Sequence, residues 1–196
     1  MLEIVVATGN QGKLDEIAHA LAGLPVKLLS LAEFPGAPEV VEDGETFLEN
    51  AVKKARATAA HAKKHALADD SGLAVDALGG APGVFSARFA GVGASDDMNN
   101  NKLLAALART PAPRTAQFVC VLCLASPAGD IITAEGRCPG EILDAPRGHH
   151  GFGYDPLFCY PPLGATFAEI TREQKLQVSH RGRALAALRE KIMAIV

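Results

Sequence analysis

Three things are missing from this chain. It has no apolar run approaching the ~20 residues of a membrane-crossing helix, no excess of basic residues and no leader-like start. Each absence excludes something. Without the long apolar run, no membrane contact is expected. Lys and Arg number 19 against 22 Asp and Glu, a net charge of −3. A nucleic-acid surface calls for a basic excess or a basic patch, so no nucleic-acid partner is expected. The opening Met1-Leu-Glu-Ile-Val-Val-Ala7 carries an acid at once and lacks a basic n-region. It reads as a first strand and not as a signal peptide, which gives the expectation of a cytoplasmic protein. Repeats, low-complexity tracts and linkers are also lacking, leaving a single domain over residues 1–196, with room for two lobes and a real core.

The four cysteines do not form a framework. Cys120 and Cys123 have CxxC spacing, but they lie in Thr115-Ala-Gln-Phe-Val-Cys-Val-Leu-Cys-Leu124, which reads as a strand. Residues three apart on a strand face opposite sides, so the pair is poorly placed to share a metal or a disulfide. Both are expected in the core, and Cys138 and Cys159 have no partner spacing.

What is present is alternating α and β structure. Strands are predicted over Leu2 to Ala7 and Val26 to Leu31, with a helix between them from Lys13 to Leu21. A long helix is predicted from Phe47 to about His65. Thr46 and Glu49 form its capping box, and Phe47, Leu48, Ala51, Val52 and Ala55 form its apolar stripe. A further helix is expected from Asp96 to Ala108, and a hairpin from Ala116 to Ser126 and Ile131 to Cys138. The last helix runs from about His180 to Ile195, with Leu185, Leu188, Ile192 and Ile195 as its stripe.

Five segments carry chemistry. In Leu67-Ala-Asp-Asp-Ser-Gly-Leu73 two acids sit at an apparent interruption between strands. Neighbouring side chains on extended backbone point to opposite faces, so Asp69 and Asp70 can serve different roles. A strand-end carboxylate with other acids nearby is raw material for a Mg2+ site; the same tetrad is also what a simple turn would use. Thr8-Gly-Asn-Gln-Gly-Lys13 joins a strand to a helix, where backbone amides and a helix N-terminus favour an anion and Lys13 adds charge. It is not a Walker A loop, because Ala7 and Leu14 stand where that pattern needs Gly and Ser or Thr. Glu42-Asp-Gly-Glu-Thr-Phe-Leu-Glu-Asn50 supplies acids before the long helix, and capping accounts for Glu45 and Glu49 better than for Glu42. Gly151-Phe-Gly-Tyr-Asp-Pro-Leu-Phe158 allows a flat ligand close to the backbone, or a tight turn over a buried Phe152. Lys175, His180, Arg181 and Arg183 gather around the start of the last helix, where an anionic ligand would account for so many cations.

In order and wording these segments resemble the inosine triphosphate pyrophosphatase family over nearly the whole chain, most specifically in Ser179-His-Arg-Gly182 paired with Phe152-Gly-Tyr-Asp155. The resemblance implies an elongated α/β fold, with a long mixed β-sheet flanked by helices and two lobes around a central cleft, usually as a homodimer. It implies Mg2+-dependent hydrolysis of ITP, dITP and XTP to the monophosphate and pyrophosphate. Carried over residue by residue, the loop Thr8, Gly9, Asn10, Gln11, Gly12 and Lys13 would hold the triphosphate. Asp70 would be proton acceptor and metal ligand, with Glu42 as the second metal acid. Ser71, Phe152, Gly153, Tyr154, Asp155, Lys175, His180 and Arg181 would contact substrate. His180, Arg181 and the amides from Phe152 to Asp155 would be donors to the purine C6 oxygen. His149 and His150 depart from the pattern and receive no role. The alternatives are a pyrimidine-acting nucleotide pyrophosphatase of related fold and a non-catalytic nucleotide sensor. The sensor would need the phosphate loop without the acids, and both Glu42 and Asp70 are present.

Overall fold

The structure is a computed structural model that describes residues 1–196. Seven strands form one mixed sheet in the order β2-β1-β3-β4-β5-β6-β7. They are β1 Leu2–Val6, β2 Val26–Ser30, β3 His65–Val75, β4 Thr115–Ala125, β5 Ile131–Ile142, β6 Phe158–Tyr160 and β7 Ala165–Thr166. The helices are α1 Gln11–Leu21, α2 Phe47–Ala62, α3 Asp96–Ala106, α4 Arg172–Val178 and α5 His180–Met193. β1 runs parallel to β2 and β3, and β6 is antiparallel to β5 and β7. Parallel neighbours need crossover connections, which α1 and α2 supply. No helix is long and apolar enough to cross a membrane.

The chain divides into two compact units. The first comprises Met1–Asp70, Cys120–Gly136 and Arg181–Val196; the second comprises Ser71–Val119 and Arg137–His180. The division falls within β3, β4 and β5, so the most informative motif is cut between Asp70 and Ser71.

In the first unit Ile4, Val5 and Val6 are buried together with Ile17 and Leu21 of α1, and with Leu185, Leu188 and Ile192 of α5. The α2 capping box forms as expected: the Thr46 hydroxyl accepts from the Glu49 amide at 3.1 Å, and Glu49 accepts from the Thr46 amide at 3.2 Å. The buried face of α2 is not the expected one. It consists of Asn50, Ala51, Ala55, Thr58 and Ala59, while Leu48 is exposed. Small side chains at i, i+4 and i+8 let a helix approach its neighbours closely. The helix also stops earlier than the pattern implies, at a left-handed Lys63 (φ 52°). His65 already belongs to β3.

β3 corrects a second expectation. Asp69-Asp70-Ser71-Gly72 does not interrupt two strands but lies within one continuous strand of 11 residues. Strand pairing and burial override the turn preference of these residue types. Cys120 and Cys123 are buried in β4 as free thiols.

The second unit is built around Phe118, Phe158 and Phe167, with ring centroids 4.6, 4.9 and 5.8 Å apart in the three pairs. Leu73, Val75, Leu103, Leu107, Tyr154 and Leu157 pack with them. Each such side chain contributes about 1.5–3 kcal/mol when fully buried. Two exposed histidines there have a backbone role only in the visible bonding: the amides of His149 and His150 both donate to the Ala168 carbonyl at 3.0 Å.

Candidate active site

The first unit gathers the candidate phosphate loop and both acids. In β1 and β3 the register pairs Val6 with Leu67, and the Ala7 amide donates to Leu67 O at 2.8 Å. The loop leaving β1 therefore begins two residues short of Asp69 on the neighbouring parallel strand. That is the carboxyl end of a parallel pair, where ligands in open α/β sheets bind. Within the loop the Asn10 amide donates to Thr8 Oγ1 at 3.1 Å, and Asn10 Oδ1 accepts from the Lys13 amide at 3.2 Å as the N-cap of α1. Thr8 and Asn10 thus shape the loop. Gln11, Gly12 and Lys13 open a helix with no acid in its first turn, so the positive end of its dipole is not offset. Gln11 spends its side-chain amide on Asp15 at 2.7 Å.

Behind the loop lies an array of four charges, of which Glu16, Asp69 and Arg181 are buried and Lys13 is partly exposed. Lys13 Nζ stands 2.9 Å from Asp69 Oδ2, Arg181 donates to the same oxygen at 3.4 Å, and its other nitrogen donates to Glu16 Oε2 at 2.7 Å. Burial pushes the Asp69 carboxyl up, but Lys13 and Arg181 outweigh it and hold the group well below the usual carboxylate range. Two cations balance two carboxylates, which is how buried charges are tolerated.

Asp70, next along the strand, has different partners. Asn50 Nδ2 donates to Asp70 Oδ2 at 3.0 Å, while Asn50 Oδ1 accepts from the Gly44 amide at 2.8 Å. A backbone amide only donates, so the orientation of the Asn50 amide follows. A Cβ at residue 44 would stand 2.7 Å from Asn50 Oδ1, hence the glycine. Burial raises the Asp70 carboxyl above its ordinary value, with Glu42 and Asp69 adding to the effect and Lys54 and Asn50 opposing it. Glu42 itself pairs with Lys54 at 2.7 Å.

This donor set suits a hard divalent cation. No three His, Cys, Asp or Glu side chains converge, but Mg2+ needs only one or two carboxylates and completes its shell with water and phosphate oxygens. Asp70 is raised chiefly by burial, and the repulsion of the Glu42 charge adds to it. A cation shared by them would relieve that repulsion.

The second unit holds the aromatic turn. Phe152 N–H and Lys175 Nζ both donate to Asp155 Oδ2, at 2.9 and 2.5 Å. The Lys175 ammonium lies 4.8 Å from the centre of the Phe152 ring and 5.6 Å from that of Phe167. Gly151 has φ 78°, and a Cβ there would run into the Asp155 carboxylate. Tyr154 is buried and donates its hydroxyl to Ser86 O at 2.8 Å. Ser71, half-buried, opens this unit on β3.

Lys175, His180 and Arg181, near the start of the last helix, each have different partners. Lys175 belongs to the separate helix α4 and goes to Asp155, His180 stacks on Phe118 with centroids 4.7 Å apart, and Arg181 goes to Glu16 and Asp69. Sequence reasoning gave no role to Asn50 or Glu16, and it read Lys54, with Lys53 and Arg56, as part of a solvated face, whereas Lys54 is largely buried against Glu42. The only signal for Asn50 was an amide among alanines on a helix face.

These residues fall within residues 4–191, the span matched by the model of the Ham1 family. The chain belongs to the Ham1 family. It is 57% identical over 193 residues to a dITP/XTP pyrophosphatase of Geobacter sulfurreducens, covering 98% of this chain and 97% of that protein. It is 49% identical over 196 residues to a dITP/XTP pyrophosphatase of Shouchella clausii, covering 100% and 98%. Among solved structures, a HAM1 protein from Coxiella burnetii superimposes with a TM-score of 0.92 at 43% identity, over 99% of this chain and 100% of that one. A nucleoside-triphosphatase / dITP/XTP pyrophosphatase from Mycobacterium abscessus gives 0.80 at 46% identity, over 95% and 98%. Ham1 membership therefore covers both units, including the Asp69 array and the aromatic turn.

Proposed function

We propose that this Ham1 protein hydrolyses the non-standard purine nucleoside triphosphates ITP, dITP and XTP to the monophosphate and pyrophosphate, clearing them from the nucleotide pool. The observation that carries the reading is the neighbouring pair on β3. Asp69 holds Lys13 at the start of α1, and Asp70 is a buried carboxylate with an elevated proton affinity. The relatives' names, dITP/XTP pyrophosphatase, give the substrate class.

The loop from Thr8 to Lys13 would bind the triphosphate through its amides, the α1 N-terminus and the Lys13 charge. Asp70 would accept the proton of the attacking water as the α–β phosphoanhydride bond breaks and pyrophosphate leaves. A carboxyl raised by burial is a better proton acceptor than an ordinary Asp. Mg2+, held by Asp70 and Glu42, would supply charge neutralisation on the phosphates. Phe152, Asp155 and Lys175 form the prearranged turn offered to the base, with Ser71 and His180 as further contacts. A homodimer in the cytoplasm completes the proposal.

Incubation with ITP and Mg2+, followed by product identification, tests the reaction. Pyrophosphate and IMP are expected. Orthophosphate would mark a phosphatase, and unchanged ITP would mark a nucleotide sensor. Omitting the cation and adding chelator tests Mg2+, and light scattering after size exclusion tests the dimer.

A further inference from the structure

One face of α2 holds both candidate metal acids. Asn50 and Lys54 are one helical turn apart, so they stand on the same side of the helix. Asn50 Nδ2 donates to Asp70 Oδ2 at 3.0 Å, and Lys54 Nζ donates to Glu42 Oε1 at 2.7 Å. Lys54 is the more enclosed member of its pair, with a side chain 14% exposed against 34% for Glu42. Its charge also reaches past Glu42. Burial raises the Asp70 carboxyl, and the Lys54 ammonium is the strongest influence opposing that rise. The loop that carries Glu42 is fastened to α2 by other means as well. Asp43 pairs with Lys53 at 2.5 Å, and the Gly44 amide donates to Asn50 Oδ1 at 2.8 Å. With the loop held at those two residues, Lys54 serves Glu42 as a charge partner more than as a tether.

From this arrangement we propose that Lys54 is a resident counter-ion of Glu42, competing with a divalent cation for that carboxylate in the nucleotide-free protein. The inference rests on the reading of Glu42 and Asp70 as the cation site. Charge counting gives the competition its direction. Lys13 and Arg181 cancel Glu16 and Asp69 among themselves. What remains is two carboxylates, Glu42 and Asp70, and one ammonium, a net of one negative charge. A divalent cation arriving alone would turn that site positive and meet the Lys54 ammonium at short range, where like charges repel strongly even at the effective dielectric of a protein surface. A cation arriving with a triphosphate brings its own excess of negative charge. Lys54 therefore makes the site a poor one for the free cation and leaves it open to a cation accompanied by nucleotide. It acts through Glu42, as a positioning residue.

The test titrates Mn2+, which takes the same oxygen ligands as Mg2+, into the nucleotide-free full-length protein and follows the free ion by EPR. Lys54→Met keeps the apolar stem and removes the charge, and Lys54→Gln takes its place should that variant unfold. Lys54→Arg keeps the charge. Mn2+ should bind at least about tenfold more tightly to Lys54→Met than to wild type. Lys54→Arg should stay within about twofold of wild type, because the competing cation is still there. Glu42→Gln, added to Lys54→Met, should cancel the gain. Unchanged or weaker Mn2+ binding in Lys54→Met, with wild-type circular dichroism, would overturn the proposal. Equal tightening in Lys54→Arg would overturn it too, since charge would then not be the cause. If those results came with ITP hydrolysis that needs Mg2+ in wild type and fails in Glu42→Gln, the cation site would stand and only the role of Lys54 would fall. A gain that survives Glu42→Gln would instead remove Glu42 from the cation site, and the proposal with it.

Discussion

Glu16→Gln isolates the charge that closes the buried array. Glutamine keeps the volume of glutamate and one acceptor oxygen, so the substitution removes charge and little else. Arg181 then keeps the charge of Asp69, at 3.4 Å, but loses that of Glu16, at 2.7 Å. The balance of two cations and two carboxylates becomes a net buried positive charge. Removing one partner of a buried pair costs roughly 3–5 kcal/mol. Because Asp69 remains, the expected loss is at the low end, about 3 kcal/mol. For a chain of this size that corresponds to a Tm lowered by roughly 6–12 °C. Arg181→Met should be destabilising on its own, since it leaves Glu16 buried without its cation. Combining the two substitutions removes the pair together, and the double variant should be more stable than the summed single losses imply by at least ~1–2 kcal/mol. Urea unfolding with linear extrapolation measures all four proteins. Additive losses within ~0.5 kcal/mol, or a Glu16→Gln cost below ~1 kcal/mol, would refute the coupling.

The two acids of β3 should separate. Asp70→Asn is expected to lower turnover by roughly 10²–10⁴-fold with little loss of stability, whereas Asp69→Asn should destabilise the fold by uncoupling Lys13 and Arg181. Matching profiles in kinetics and unfolding would refute the division of roles. A carboxyl raised by burial, as Asp70 is, favours the folded state below the ordinary value of 3.8, and that contribution disappears as pH rises through its folded-state value. Asp69, held low, does the reverse: its contribution is present above 3.8 and lost on acidification. NMR titration should place Asp70 above an ordinary Asp, and Mg2+ should move it down; no movement would remove Asp70 from the cation site. Arg181→Ala should slow ITP and ATP hydrolysis by the same factor, because its guanidinium serves Glu16 and Asp69; a loss confined to ITP would show that it reads the base. Burial pushes Cys120 up to about 12 and Cys123 up to about 11, so thiol reagents should reach Cys159 first and the other two only on unfolding.

The elements that carry periodicity were legible in the sequence. The alternation of α and β, the Thr46–Glu49 capping box and the Leu185–Leu188–Ile192 stripe all stand in the structure, but α5 ends at Met193 and leaves Ile195, the fourth expected member of that stripe, exposed. What was not legible depends on contacts distant in the chain. Asp69-Asp70-Ser71-Gly72 has turn residues, yet β3 carries it straight through because its neighbours pair with it. Leu48 belongs to the expected stripe of α2, but the face actually buried was set by Asn50 reaching Asp70, 20 residues away. β6, β7 and α4 are too short to carry a periodic pattern. The cations from Lys175 to Arg181 look alike as a list of charges, and only their partners distinguish an aromatic-turn staple, a stacked ring and a buried ion pair.

The same buried array fixes an order of events during synthesis. Glu16 and Asp69 are made early, while the guanidinium that neutralises them comes 165 and 112 residues later. Until α5 has left the ribosome, a nascent chain holds two acids destined for the interior and one lysine to share between them. Closing the first unit is therefore a late step, gated by its last segment, Arg181–Val196. A chain terminated before Arg181 would be left with an uncompensated acid at its heart. Quality control would meet it as an unfinished protein and not as a partly active enzyme.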